Sequence, residues 1–459
     1  MFFAAADRAI DFVSDGGMAY LYRRTPASLL DGLARYRFRR TIRWVAKRSP
    51  FYREAFRARG IDPRQVRSTA DLGDFFTTPD DLSRDPEKFL CAPPSFVFES
   101  SGTSGRNKQV YFDTREMNYI GKCAASAMAL MGIAPTDRVA NAFDFSIWIP
   151  GMLFHQGLTH SGIFCQIFSK VDPIEVYRRL QQYRFNIVLG EPTWLIRLTE
   201  IAEKQGSHPL KLLIGGAEEM PASAIPWMRE VWGGADVKMC YGSVEMGGGL
   251  GFQPCSNHNG YHLDNINYLS EFIEPSSDGY GEIVFTTLTR HVMPLVRYRT
   301  QDVARLETER CSCGLHVPRL SKLRGRRDEM VVASGGNLYP LMFEEILRDV
   351  PGLSRDWQIV FTLDGIREVV DIRVETDRTD LAALERDVFD RAKVLYPDLM
   401  KNLALGTFQM KVTPHAPGRL RTGRKLRRMV DRRFDAANHD ATIPAPHATG
   451  RTSAASKAT

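Results

Sequence analysis

The chain has 459 residues, 43% of them hydrophobic and 25% charged, with a formal net charge of +7 and a pI near 9.0. That length exceeds what one hydrophobic core usually serves, so two or more domains are expected, and the balance is that of a soluble globular protein rather than a disordered or fibrous one. The longest apolar stretch, FDFSIWIPGMLF (143–154), is short, carries Asp144 and contains a proline, so no membrane partner is expected.

In chain order, MFFAAADRAIDFVSDGG lacks a basic start and sets Asp7 and Asp11 inside its apolar part. It does not read as a signal peptide, and a cytoplasmic protein is expected. Helical periodicity covers residues 28–60 and stops at Gly60 and Pro63. VFESSGTSGRNKQVYF (97–112) then places a strand-like run before Ser100, Ser101, Gly102, Thr103, Ser104 and Gly105. Such a loop costs entropy to order. It also offers bare amides and hydroxyls to phosphate oxygens, against the plainer reading of a flexible linker.

From residue 112 to about 250, helical segments alternate with short apolar runs. NIVLG (186–190) and KLLIGG (211–216) end on glycine and VKMCYGS (237–243) follows them, as buried parallel strands feeding loops do. This is α/β patterning. After 260, GEIVFTTLTR and PLVRYRTQDVARLE alternate in the manner of strands. Beyond RGRRDEMVVASGGNLYP, a hairpin (WQIVFTLDGIREVVDIRVET) and a helix (DLAALERDVFDRAKVLY) suggest a compact α+β unit of about a hundred residues. The end, Ala436 to Thr459, has no apolar pattern and reads as disordered.

The seven cysteines, an odd number, argue against a disulfide framework. Cys91, Cys123, Cys165 and Cys240 read as small core residues. ERCSCGLH and PCSNHNGYH differ: Cys255, His262, Cys311 and Cys313 would make a tetrahedral Cys3His set for structural Zn2+, against the plainer reading of two thiols in a surface turn. GRLRTGRKLRRMVDRR (418–433) holds eight basic residues against Asp431. Without interleaved aromatics, a solvated face or a site for a phosphorylated small molecule is the better reading, and no nucleic acid is expected.

Several motifs agree in order. SSGTSGRNK resembles the phosphate-binding loop of the adenylate-forming superfamily, which includes acyl-CoA synthetases; YGSVE (241–245) resembles its aromatic-Gly-x-x-Glu signature and RYRTQD (297–302) its ribose-binding motif. LRGRRDEMVVASGGNLYP resembles the hinge between its two domains. SPFYREAF, FTTPDDL, GEIVFTTLTRHVMPLVRYRTQD, CSCG and GGNLYP narrow the resemblance to the phenylacetate–CoA ligase branch, over about 40–433.

The resemblance implies a large adenylate-forming domain over 1–325, with mixed sheets and a β-rich portion. A small mobile α+β domain over 326–433 follows, hinged near Asp328, and then a disordered tail over 434–459. It implies a carboxylic acid, ATP and coenzyme A as small-molecule partners, and Mg2+ as cofactor. The acid attacks the α-phosphate to give an acyl-adenylate, and a thiol then displaces AMP; an amine, a carrier protein or another acceptor in place of coenzyme A is the alternative. A homodimer is the assembly to test.

By the same resemblance, residues 100–105 would hold the β- and γ-phosphates. Glu245 would hold Mg2+, Asp302 the ribose hydroxyls, and Arg326 a phosphate or ribose oxygen. Tyr241, beside Gly242, would stack on adenine, with Gly215, Gly216, Ala217 and Glu218 around the purine edge. Lys425 would be the catalytic lysine. Phe143, Phe145 and Trp148 would form an aromatic wall for an aryl acid, with Glu191 and Trp194 beside it. Taken singly, Glu245 reads as a surface carboxylate, Asp302 as a partner of Arg297 or Arg299, and Tyr241 as core. The chain departs from the family pattern at Arg106, where a lysine is usual, with Lys108 two residues on. It also departs at Val244, in place of Ser or Thr, and at Arg424, in place of glycine.

Overall fold

The structure is a computed structural model. It describes residues 3–433 apart from 4, 8–16, 101–106, 170, 218–219, 221–223, 253–259, 277, 308, 310, 316, 328–329, 334–335, 365–366, 405–407 and 422–425. The first helices with described bounds are α1 (Gly17–Arg24), α2 (Ala27–Arg48) and α3 (Pro50–Ala58). The single periodic stretch expected over 28–60 is broken at Ser49, because Pro50 has no amide to continue the ladder. Pro50 instead opens α3, while the Ser49 hydroxyl accepts the Tyr52 amide at 3.3 Å. On α2 the buried residues Leu30, Leu33, Ala34, Phe38, Ile42 and Val45 recur at helical spacing and pack the helix on a sheet described below.

A short helix, α4 (Pro79–Arg84), precedes an antiparallel ribbon, β1 (Phe96–Ser100) and β2 (Lys108–Phe112), whose register sets Ser100 opposite Lys108. Then comes the alternation: α5 (Thr114–Leu130), β3 (Arg138–Asn141), α6 (Ile149–Ser161), β4 (Phe164–Ile167), α7 (Pro173–Gln182), β5 (Ile187–Gly190), α8 (Pro192–Gln205), β6 (Leu212–Gly215), α9 (Ala224–Val231) and β7 (Asp236–Ser243). Strands β4, β3, β5, β6 and β7 lie side by side and parallel. IVLG and LLIG are buried throughout, which is why they carry no polar alternation. Helices α6, α8 and α9 pack on these strands, and each buried Leu, Ile or Phe contributes about 2 kcal/mol.

The sheet continues antiparallel through β8 (Gly248–Phe252) and β9 (Tyr261–Leu263). A second, four-stranded sheet holds β10 (Tyr268–Ile273), β11 (Gly281–Thr287) and β12 (Tyr298–Ala304), on which α2 packs. Short strands β13 (Leu306–Glu307) and β14 (Arg319–Leu320) join the first sheet beside β9, and β15 (Gly325–Arg326) joins β12. Beyond them lie β16 (Val331–Ala333), β17 (Gly336–Leu338) and α10 (Pro340–Leu347). The last sheet is built from β18 (Leu353–Asp364), β19 (Arg367–Thr376), β20 (Phe408–His415) and β21 (Met429–Asp431), with α11 (Leu381–Leu395) and α12 (Pro397–Ala404) between β19 and β20. Its core, including Phe343, Ile359, Phe361, Ile372 and Phe408, is a cluster of its own.

Three arginines of the basic run are tied within this last region, while Arg419, Arg427 and Arg432 are exposed. Arg421 pairs with Asp356 at 2.8 and 2.9 Å, Arg428 donates to the Trp357 carbonyl at 2.8 Å, and Arg433 pairs with Asp431 at 2.7 Å. No described helix is long and apolar enough to cross a membrane. The tail expected to be disordered lies outside the described residues.

Candidate active site

One cavity of about 1630 Å³ opens where the ribbon, the carboxyl ends of the parallel strands, the four-stranded sheet and the last sheet face one another, as ligand crevices in α/β sheets do. Ser100, Gly216, Ala217, Tyr241, Gly242, Glu245, Asp302 and Arg326 line it. Ala217 holds φ +69° directly after the strand-end glycines, a conformation that costs a non-glycine residue on the order of 1–2 kcal/mol and recurs at functional sites. Gly242 is needed for closure: a Cβ there would meet the Gly248 carbonyl at 2.1 Å, so only glycine lets β7 and β8 pair beside the cavity.

Glu245 sits in the turn after β7 and is not a surface carboxylate; its relative exposure is 3%. Its Oε1 accepts from Ser100 Oγ at 2.9 Å and Tyr298 Oη at 3.3 Å, and lies 2.6 Å from the Lys108 ammonium. Burial pushes the carboxyl up, but the Lys108 charge and the hydrogen bonds from Lys108 and Ser100 outweigh it and hold Glu245 below the ordinary carboxylate value. Lys108 stands out in the sequence only as a displaced lysine. The ribbon register, with Ser100 opposite it, is what brings it to Glu245.

Asp302 lies on β12 and pairs with neither Arg297 nor Arg299, which bond to Glu271 and Glu282. Its Oδ2 accepts from Tyr241 Oη at 2.6 Å and its Oδ1 from Arg326 Nη1 at 3.3 Å. Burial and the Asp302 charge push the Tyr241 phenol well above its usual range, so that hydroxyl stays a donor. Arg326 is also fixed by Gln301 Oε1 at 2.9 Å. Arg326 therefore belongs to the four-stranded sheet through β15, not to the sheet that follows.

Of the residues expected to meet the acid, Trp148 and Glu191 line the cavity, as does Phe143, whose ring stacks on Phe154 at 4.6 Å and 1° and is itself fully buried. Phe145 and Trp194 are corrections. Phe145 lies outside the lining and edge-on to His155, with ring centroids 6.1 Å apart, while Trp194 Nε1 is turned to the Val171 carbonyl at 2.9 Å. Gly215 is also outside the lining; a Cβ there would strike Met239 Sδ at 2.6 Å, so strand packing accounts for that glycine. Residues 101–105, Glu218, Cys255, Asp328 and Lys425 lie outside the described residues. Arg421 and Leu426, on either side of 422–425, line the cavity.

Away from the cavity, His262, Cys311 and Cys313 present ligand atoms within 4.8 Å of one another, with Cys313 Sγ 3.3 Å from His262 Nε2. The cysteines expected to be plain core divide: Cys91 is buried, while Cys123 and Cys240 also face the cavity.

Two family models match in order, AMP-binding enzyme over residues 62–265 and AMP-binding enzyme C-terminal domain over 335–433. The chain belongs to the AMP-binding enzymes. The phenylacetate-coenzyme A ligase of Thermus thermophilus is 28% identical over 438 residues, 89% of this chain and 98% of that one. Its counterpart in Aromatoleum evansii is 28% identical over 415 residues, 86% and 93% of the two chains. Among solved structures, 2-hydroxyisobutyryl-CoA ligase in the postadenylation state in complex with 2-HIB-AMP shares the fold. Its TM-score is 0.75 at 23% identity, covering 90% of this chain and 91% of that one. O-succinylbenzoate coenzyme A synthetase from Bacillus subtilis, in complex with AMP, aligns less fully: TM-score 0.52, 18% identity, 73% and 68% coverage.

Proposed function

We propose that this AMP-binding enzyme is an ATP-dependent acid–CoA ligase, acting on an aryl acid in the manner of a phenylacetate–CoA ligase. The observation that carries this reading is the convergence of Ser100, Glu245 and Asp302, from three separate elements, on one cavity. A carboxylate oxygen of the acid forms a bond to the α-phosphorus of ATP as the bond to pyrophosphate breaks. The coenzyme A sulfur then bonds to the acyl carbon as AMP leaves and the thiol proton is released. The chain's own work is to bind and orient. Asp302, fixed by Tyr241 and Arg326, accepts from the ribose hydroxyls, and Ser100 and the residues after it are assigned to the phosphates.

Glu245 is an ionised, inward-facing carboxylate, which suits Mg2+, a hard cation that takes few protein oxygens and several phosphate ones. Bound there, Mg2+ would supply positive charge against the triphosphate. Lys425 is assigned the reacting oxygens; the cavity-lining positions of Arg421 and Leu426 support this. The large domain is taken to run through β15 to Arg326, which pairs with Asp302, rather than to end at 325, and the small one to run on to 433, with the hinge near Asp328. Supporting a break there, β15 closes one sheet and β16 opens the next. Pyrophosphate release across a panel of acids, with and without coenzyme A, tests the reading, with mass spectrometry of products. Acid-dependent release and an acyl-CoA product are expected; release with no thioester in the presence of coenzyme A overturns the acceptor, and no release at all overturns the whole.

His262, Cys311 and Cys313, with Cys255, are proposed to hold structural Zn2+. The support is the proximity of two thiols and an imidazole, a donor set that suits zinc. Zinc there would pin β9 to the loop between β13 and β14. Elemental analysis of the purified protein should give one zinc per chain, absent from Cys311→Ser; metal-free protein with unchanged melting overturns it.

A further inference from the structure

The cavity extends beyond the space between Glu245 and Trp148. It runs along α5, where Ile120, Ala124 and Ala127 share one helix face and leave width by being mostly small. Its lining then turns polar at Tyr22, Tyr119, Asp264 and Asn267. Asp264 is 8% exposed. Its Oδ1 accepts from the Tyr22 hydroxyl and from the amides of Ile266 at 3.2 Å and Asn267 at 3.1 Å; its Oδ2 accepts from Asn267 Nδ2 at 2.6 Å. Tyr119 donates to Asn267 Oδ1 at 2.8 Å and so fixes that amide.

Among the described residues no Lys, Arg or His forms an ion pair with Asp264. The nearby Arg37 is given to Asp7, at 2.6 Å, and to the Ile266 carbonyl, at 2.8 Å. A buried carboxylate without a counter-charge is costly, and an amide oxygen could accept hydrogen bonds from the same donors without burying a charge. A carboxylate facing a substrate cavity has another use: it rejects any occupant that takes its water and returns no hydrogen bond.

We propose that the acid activated here carries a hydrogen-bond donor, a hydroxyl or an amine, at the end remote from its carboxyl, and that Asp264, oriented by Tyr22 and Asn267, selects it. This rests on the acid-activating reading above. The probes are phenylalkanoic acids of graded chain length, each compared with its para-hydroxy and para-aminomethyl counterpart, and the readout is acid-dependent pyrophosphate release. For at least one length, the donor-bearing member is expected to have a kcat/KM about 10- to 100-fold above the bare one, the range of a hydrogen bond to a charged group. That ratio should fall to near one in Asp264→Ala and drop severalfold in Tyr22→Phe, which removes a single hydroxyl and guards against a misfolded alanine variant.

A role confined to stapling would lower the melting temperature and depress both members of each pair equally, leaving the ratio unmoved. Preference for the hydroxyl arm alone identifies a neutral donor, and for the aminomethyl arm a cation. Equal use of bare and donor-bearing acids by the wild type, or an unchanged ratio in Tyr22→Phe and in a folded Asp264→Ala, overturns the inference. Release with no acid of any kind overturns instead the reading beneath it.

Discussion

The two ends of the cavity are built on opposite plans. At the end proposed to take the nucleotide, the buried charges are paired internally: Glu245 with Lys108, Asp302 with Arg326 and Tyr241. At the end proposed to take the acid, an apolar wall gives way to polar groups and two buried carboxylates, Glu191 and Asp264, and among the described residues the hydrogen-bond partners of Asp264 are all neutral. A polyphosphate and a ribose present the same chemistry to every enzyme that binds them, so their end can be assembled in advance. The acid differs between enzymes, and its end is shaped by what enters.

The sharpest break of this comparison is Asp302→Ala. It removes the acceptor for both Tyr241 and Arg326, and kcat/KM for ATP should fall on the order of 100-fold or more. A loss below tenfold would mean that this end is not organised around Asp302. Next in size is Lys108→Met, which leaves Glu245 buried without its counter-charge and should cost about 3 kcal/mol in urea unfolding. The double variant Lys108→Met/Glu245→Gln should recover most of that; independent, additive losses would contradict the pairing.

Tyr241→Phe deletes one hydroxyl and leaves the ring. About a tenfold rise in KM for ATP is expected, with stability changed by about 1 kcal/mol, and an unaltered KM would separate the ring from the ribose end. The smallest effect concerns pH. The folded Glu245 carboxyl lies below its unfolded value, so its contribution is complete above that unfolded value, near 4.3, and is lost as pH falls through the folded one. Urea midpoints taken from pH 6 down to pH 3 should fall more steeply for the wild type than for Glu245→Gln.

Much of the nucleotide end is legible in the sequence because its groups fall in short contiguous motifs on strand ends, and strands such as IVLG and LLIG announce themselves by length and glycine. Lys108 carries no such mark; its meaning comes from a ribbon register. Tyr22 and Asp264 meet across 242 positions, a separation no local pattern spans. Phe145 and Trp194 show the reverse failure. Aromatic residues beside a site serve the core as readily as the ligand, and there packing decided. The helix break at Ser49 was readable from Pro50, but an otherwise unbroken apolar period outweighed it.

Glu375 has a consequence for how this chain can be handled. Its buried carboxylate accepts the amides of Gly418 and Leu420 at 2.7 and 2.6 Å, and eleven residues after Gly418 the short strand β21 begins alongside β18. Gly418 and Leu420 on one side of 422–425, and Met429–Asp431 on the other, are thus each held in place, like the two buckles of a strap. Cutting the gene anywhere before codon 429, or grafting a reporter there, would undo the second buckle and leave the strap hanging from the first.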